Sequence, residues 1–92
     1  MGALRLKIYT HPACTGCGDA VKLGWDLSQR FPELELLTCS LQTKEGLEDA
    51  NQTGVKLIPT SIFYKDGTEC KRFVGQTSYE ELEETYLSLI PD

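Results

Sequence analysis

No stretch of the 92 residues is long and apolar enough to cross a bilayer. The opening Met1-Gly2-Ala3-Leu4-Arg5-Leu6 has no extended apolar segment followed by a cleavage site, and position 6 is not the Ser or Thr of a myristoylation signal. The cytoplasm is therefore the expected compartment. Positive charge is also short: nine Lys and Arg against fourteen Asp and Glu give a formal net charge of -5. Such a surface repels phosphate backbones and anionic headgroups, so neither nucleic acid nor a membrane is an expected partner. Four cysteines are too few for a disulfide scaffold, and no repeat, linker or low-complexity tract breaks the chain. What remains is ordinary globular composition, 40% hydrophobic and 25% charged. A chain this short builds one core, so residues 1–92 are read as one domain, expected to be a monomer.

Along the chain, Leu4, Leu6 and Ile8 alternate with Arg5 and Lys7, the pattern of a half-buried strand, which Thr10-His11-Pro12-Ala13 ends. From Cys17 a helix is expected, with Cys17, Ala20, Val21, Gly24, Trp25, Leu27, Ser28 and Phe31 on its buried face and Pro32 limiting it. Trp25 is placed in the core or at its rim. Leu34 to Cys39 reads as a second strand, and Thr43 to Thr53 as a helix carrying Leu47 and Ala50 inward, with Gly54 at a left-handed C-cap. Thr60 to Tyr64 and Glu69 to Val74 are β-rich runs joined through Asp66-Gly67, a strong signal for a two-residue hairpin. Ser78 and Glu81 form a capping box for a last helix that buries Leu82, Tyr86 and Leu89. The order βαβ, α, ββα implies an α/β fold, a four-stranded mixed sheet with helices on both faces.

The chemistry-bearing motif is Cys14-Thr15-Gly16-Cys17, two thiols at the start of a helix. Cys14 stands at the free N-terminal end, where unsatisfied amides and the helix dipole favour a thiolate, so it is the expected nucleophile. Cys17 falls on the buried face and is the expected resolving thiol of a disulfide-exchange cycle. Thr15 and Gly16 tune the pair and are placed with the substrate-binding residues. A metal site is the competing reading, but zinc ribbons pair two such motifs and this sequence holds one. Cys39 and Cys70 read as unpaired, small apolar strand residues, and His11 as a solvated loop histidine without a catalytic role. Pro59, ahead of an apolar strand, reads locally as an ordinary trans proline.

Ile8-Tyr9-Thr10-His11-Pro12-Ala13-Cys14-Thr15-Gly16-Cys17 resembles the entry segment of glutaredoxins. Thr53-Gly54-Val55-Lys56-Leu57-Ile58-Pro59-Thr60, Phe63-Tyr64-Lys65-Asp66-Gly67 and Val74-Gly75 resemble the second half of thioredoxin. The resemblance covers nearly the whole chain in the right order. It implies a minimal thioredoxin fold without the extra N-terminal strand and helix. It also implies a cis Pro59 beside the cysteines, an Ile58 backbone that pairs with an extended substrate, and Gly75 completing the groove. The implied function is thiol-disulfide oxidoreduction on protein disulfides. The implied electron donor is a thioredoxin-reductase-type enzyme or another dithiol system, and no cofactor is required. Ala13 and Ile8 stand where thioredoxin carries tryptophan and a buried aspartate. Thr15-Gly16 and Val74-Gly75-Gln76-Thr77 depart from the pattern of glutathione-using glutaredoxins. The alternatives are a glutaredoxin-like protein that holds or delivers a metal or iron-sulfur cluster through the same cysteines, and a thioredoxin-like module that acts by partner binding.

Overall fold

Alternating side chains make β1 (Leu4–Thr10), in which Leu4, Leu6 and Ile8 are buried on one face of the sheet and Tyr9 on the other. The computed structural model describes residues 3–90. After β1 come α1 (Cys17–Arg30), β2 (Leu34–Ser40), α2 (Lys44–Thr53), β3 (Thr60–Lys65), β4 (Thr68–Val74) and α3 (Tyr79–Leu89). The strands form one sheet in the order β2-β1-β3-β4. The β1–β2 pair is parallel, while β1–β3 and β3–β4 are antiparallel. This is the mixed sheet expected from the sequence.

The hairpin between β3 and β4 turns on Asp66 and Gly67, both at positive φ, which is what a two-residue turn matching strand twist requires. Its tip is tied to the start of β1: the Asp66 amide donates to the Ala3 carbonyl, and the Ala3 amide donates to Asp66 Oδ1, each at 3.0 Å.

Both faces of the sheet are covered. On one, Leu6, Ile8 and Phe63 pack with Ala20 and Leu27 of α1 and Leu82 and Tyr86 of α3. On the other, Tyr9, Cys39 and Ile62 pack with Ala50 of α2 and Val55. Each large apolar side chain so buried contributes about 1.5–3 kcal/mol relative to exposure. Thr43 caps α2 by accepting from the Gly46 amide at 2.9 Å, and Gly54 closes it in the left-handed region, as the sequence indicates. Ser78 likewise caps α3, accepting from the Glu81 amide at 3.2 Å.

Two core assignments are corrected. Trp25 is 56% exposed and Leu47 48% exposed. Neither belongs to the core or its rim, because the residues that face the sheet are their small neighbours Gly24 and Gly46. Cys70 lies exposed on β4 rather than packed as an apolar residue, whereas Cys39 is buried; both are unpaired.

Candidate active site

The sheet topology brings the ends of four strands to one edge of the molecule. Thr10 closes β1 opposite Ser40 of β2, Tyr9 pairs with Thr60 at the start of β3, and Thr60 pairs with Val74 at the end of β4. The cysteine motif leaves β1 at this edge. The turn is set by the Cys14 amide donating to the His11 carbonyl at 2.9 Å and the Ala13 amide donating to His11 Nδ1 at 3.0 Å. His11 is thus a structural member of the loop, a role its sequence position did not disclose.

Cys14 and Cys17 are joined as a disulfide with their Cα atoms 5.5 Å apart. Cys17 opens α1 and is 3% exposed, while Cys14 sits outside the helix and is half-buried. Gly16 is the N-cap residue and supplies no capping side chain, so the first amides of α1 keep their donors free on the side of Cys14. A thiolate at Cys14 meets those donors and the positive end of the helix dipole. An open cleft of about 550 Å³ runs along this end, lined by Thr10, His11, Cys14, Cys17 and Val21, with Ser40 at its β2 side. Thr15 also lines it.

Ile58, Pro59 and Gly75 do not line that cleft. The Ile58–Pro59 peptide bond is cis, and Pro59 is buried. The Thr60 hydroxyl donates to the Leu57 carbonyl at 2.6 Å and closes the turn. Gly75, in the left-handed region, donates its amide to the Pro59 carbonyl at 2.7 Å, which ties the Pro59 turn and the end of β4 into one unit. The bridge from this unit to the cysteines is Gln76. Its side-chain Nε2 lies 1.8 Å from where a Cβ on Gly16 would stand. Gln76 was not singled out from the sequence, because no local pattern marks a contact between two distant loops.

Among the described residues no cluster of three or more His, Cys, Asp or Glu side chains is arranged to hold a metal ion. No described helix is long and apolar enough to cross a membrane.

No protein-family model matches the chain. It is 33% identical to thioredoxin H5 of Oryza sativa subsp. japonica over 76 residues, covering 83% of this chain and 54% of that protein. The chain spans about half the length of the curated relatives it matches. Among solved structures, Fasciola hepatica thioredoxin superposes with a TM-score of 0.80 at 28% identity, over 92% of this chain and 79% of that one. Thioredoxin O2 of Arabidopsis thaliana, in its oxidised state, gives a TM-score of 0.83 at 18% identity, over 95% and 75% of the two chains.

Proposed function

We propose that the chain is a thioredoxin-like redoxin that works as a thiol-disulfide oxidoreductase, reducing protein disulfides through Cys14 and Cys17. The observation that carries this reading is the Cys14–Cys17 disulfide at the N-terminus of α1, beside the cleft, with Cys14 half-buried and Cys17 almost fully buried. That asymmetry divides the labour between the two thiols.

In the reduced protein the Cys14 thiolate attacks one sulfur of a substrate disulfide. The Cys14–substrate S–S bond forms, the substrate S–S bond breaks, and the departing substrate thiolate takes a proton from solvent. Cys17, once deprotonated, attacks Cys14 Sγ, forms the intramolecular disulfide and expels the second substrate thiolate. Once the second substrate thiolate is protonated, the substrate has gained two electrons and two protons; the protein has lost two electrons and the Cys17 proton, and solvent has supplied the other proton. A dithiol donor, of the thioredoxin-reductase type or another dithiol system, returns the protein to its reduced form by the reverse exchange. Thr15, Gly16, Ile58, Pro59 and Gly75 form the substrate-facing surface in this proposal, which places the protein as a monomer in the cytoplasm, where thiols are kept reduced.

The test is trapping. Cys17→Ser retains the attacking thiol and lacks the resolving one, so it accumulates a mixed disulfide with a disulfide-bearing peptide, visible as a reducible adduct by mass spectrometry. Cys14→Ser forms no adduct at Cys17 and shows no turnover with dithiothreitol as donor. Trapping by Cys14→Ser instead reverses the roles, and turnover by both variants ends the reading.

A further inference from the structure

Gly16 has φ -93 and ψ -6, a conformation open to any L-residue, so its backbone does not call for glycine. Space does. The position of a Cβ there lies 1.8 Å from Gln76 Nε2 and 3.0 Å from Gln76 Cδ, which puts the Gln76 carboxamide directly on the Gly16 backbone, between the two cysteines in sequence. Gln76 is solvent-exposed, and the turn that carries it is anchored to the Pro59 carbonyl through the Gly75 amide. In the same turn Thr77 Oγ1 is buried with no hydrogen-bond partner, so no bond from that hydroxyl restrains the segment.

A carboxamide offers the same pair of functions as a peptide group, N–H donors and a carbonyl acceptor, and can complement an extended main chain. We propose that Gln76, seated on Gly16, is a specificity-determining residue: its carboxamide hydrogen-bonds the main chain of a polypeptide whose disulfide is presented to Cys14, favouring polypeptide disulfides over small ones. The proposal rests on the exchange reading above. Gly16 serves it by leaving room, and the anchored Gly75 serves it by fixing where the side chain starts. A small disulfide without peptide groups gains nothing from the carboxamide.

The experiment uses the reduced full chain with two probes: a peptide dimer joined by one disulfide, and dithiobis-nitrobenzoate. Losing one neutral hydrogen bond to the substrate corresponds to a drop of about fivefold in kcat/KM. Gln76→Ala should show that drop on the peptide dimer, carried by KM, with the rate on the small disulfide unchanged. Gly16→Ala displaces the carboxamide from the other side and should show at least the same drop on the peptide dimer. The double variant should be no worse than either single one, because the two substitutions remove one interaction. Equal losses on both probes for Gln76→Ala, no loss on the peptide, or additive losses on the peptide in the double variant would each overturn the inference. If the unmodified protein reduces neither probe, the exchange reading itself fails and takes this inference with it.

Discussion

The Tyr9 hydroxyl donates to Asp49 Oδ1 at 2.9 Å, while Lys7, two residues earlier on the same face of β1, is ion-paired with the other oxygen of that carboxylate. Thr53, one turn further along α2, donates to Asp49 Oδ1 at 3.1 Å. These bonds clip α2 to the sheet. Burial pushes the Asp49 carboxyl upward, but the bonds from Lys7, Tyr9 and Thr53 outweigh it and hold the group below its usual 3.8. Tyr9 is pushed up to about 12, chiefly by burial.

The acid dependence follows from the sign of that shift. A carboxyl whose folded pKa lies below its unfolded one stabilises the fold above the unfolded value, and loses that contribution as pH falls through the folded value. The Asp49 network should therefore weaken below pH 3.8. Burial pushes Lys7 down, but its bond to Asp49 together with the charges and hydrogen bonding of Tyr9 and Asp49 outweighs it and holds the group above 10.5, so its share is lost only as pH rises through that higher value. Asp49→Asn should cost about 1–2 kcal/mol at neutral pH, since the pair is only partly buried. Its urea midpoint should also fall less steeply on acidification than that of the unmodified protein. Parallel acid curves for the two proteins would show that Asp49 contributes nothing through its charge.

Two glycines of α1 should respond differently to alanine. A Cβ on Gly24 would stand 2.7 Å from Ile8 Cδ1 and 3.0 Å from Leu36 Cδ1, whereas one on Gly18 meets nothing within 4 Å. Alanine gains up to about 1 kcal/mol of helix propensity in either place. Overpacking against β1 and β2 costs about 1–3 kcal/mol, enough to outweigh that gain at position 24. Thermal unfolding should show Gly24→Ala with a lower midpoint and Gly18→Ala with an equal or higher one. A raised midpoint for Gly24→Ala would mean that α1 is not seated as closely as described.

The same close approach explains what the sequence did and did not disclose. Strand alternation in Leu4, Leu6 and Ile8, the Asp66-Gly67 turn and the Ser78 cap are local signals, and each element they mark is where it was expected. Helix faces were harder. Hydrophobic periodicity gives weight to Trp25 and Leu47, but α1 and α2 lie so near the sheet that Gly24 and Gly46 take the inward positions. Each larger neighbour, one residue on, is turned about 100° away on the helix and reaches solvent. The cysteine pair was legible because its spacing and its place before a helix carry the chemistry. The Gln76–Gly16 contact was not, since it depends on how the end of β4 meets the start of α1.

The four thiols of the reduced protein should separate by both access and charge state. Cys70 is exposed and Cys14 half-buried, while Cys17 and Cys39 are buried. Burial first, and the nearby Asp49 carboxylate second, push the Cys39 thiol up, which disfavours the thiolate that alkylating agents require. Cys39 should therefore react with iodoacetamide only after denaturation, and Cys17 should lag for lack of access. Cys14 and Cys70 should both label in the folded protein, but they should part company as the solution is acidified. Cys14 has the free amides at the start of α1 beside it, so it should keep more of its rate near about pH 6 than Cys70, which lies within the strand β4. Peptide mapping after timed alkylation reads each site separately. If Cys14 and Cys70 slow in parallel on acidification, the helix N-terminus does not activate Cys14. The nucleophile would then be selected by exposure alone, and Cys14→Ser would remove an accessible sulfur rather than a poised one.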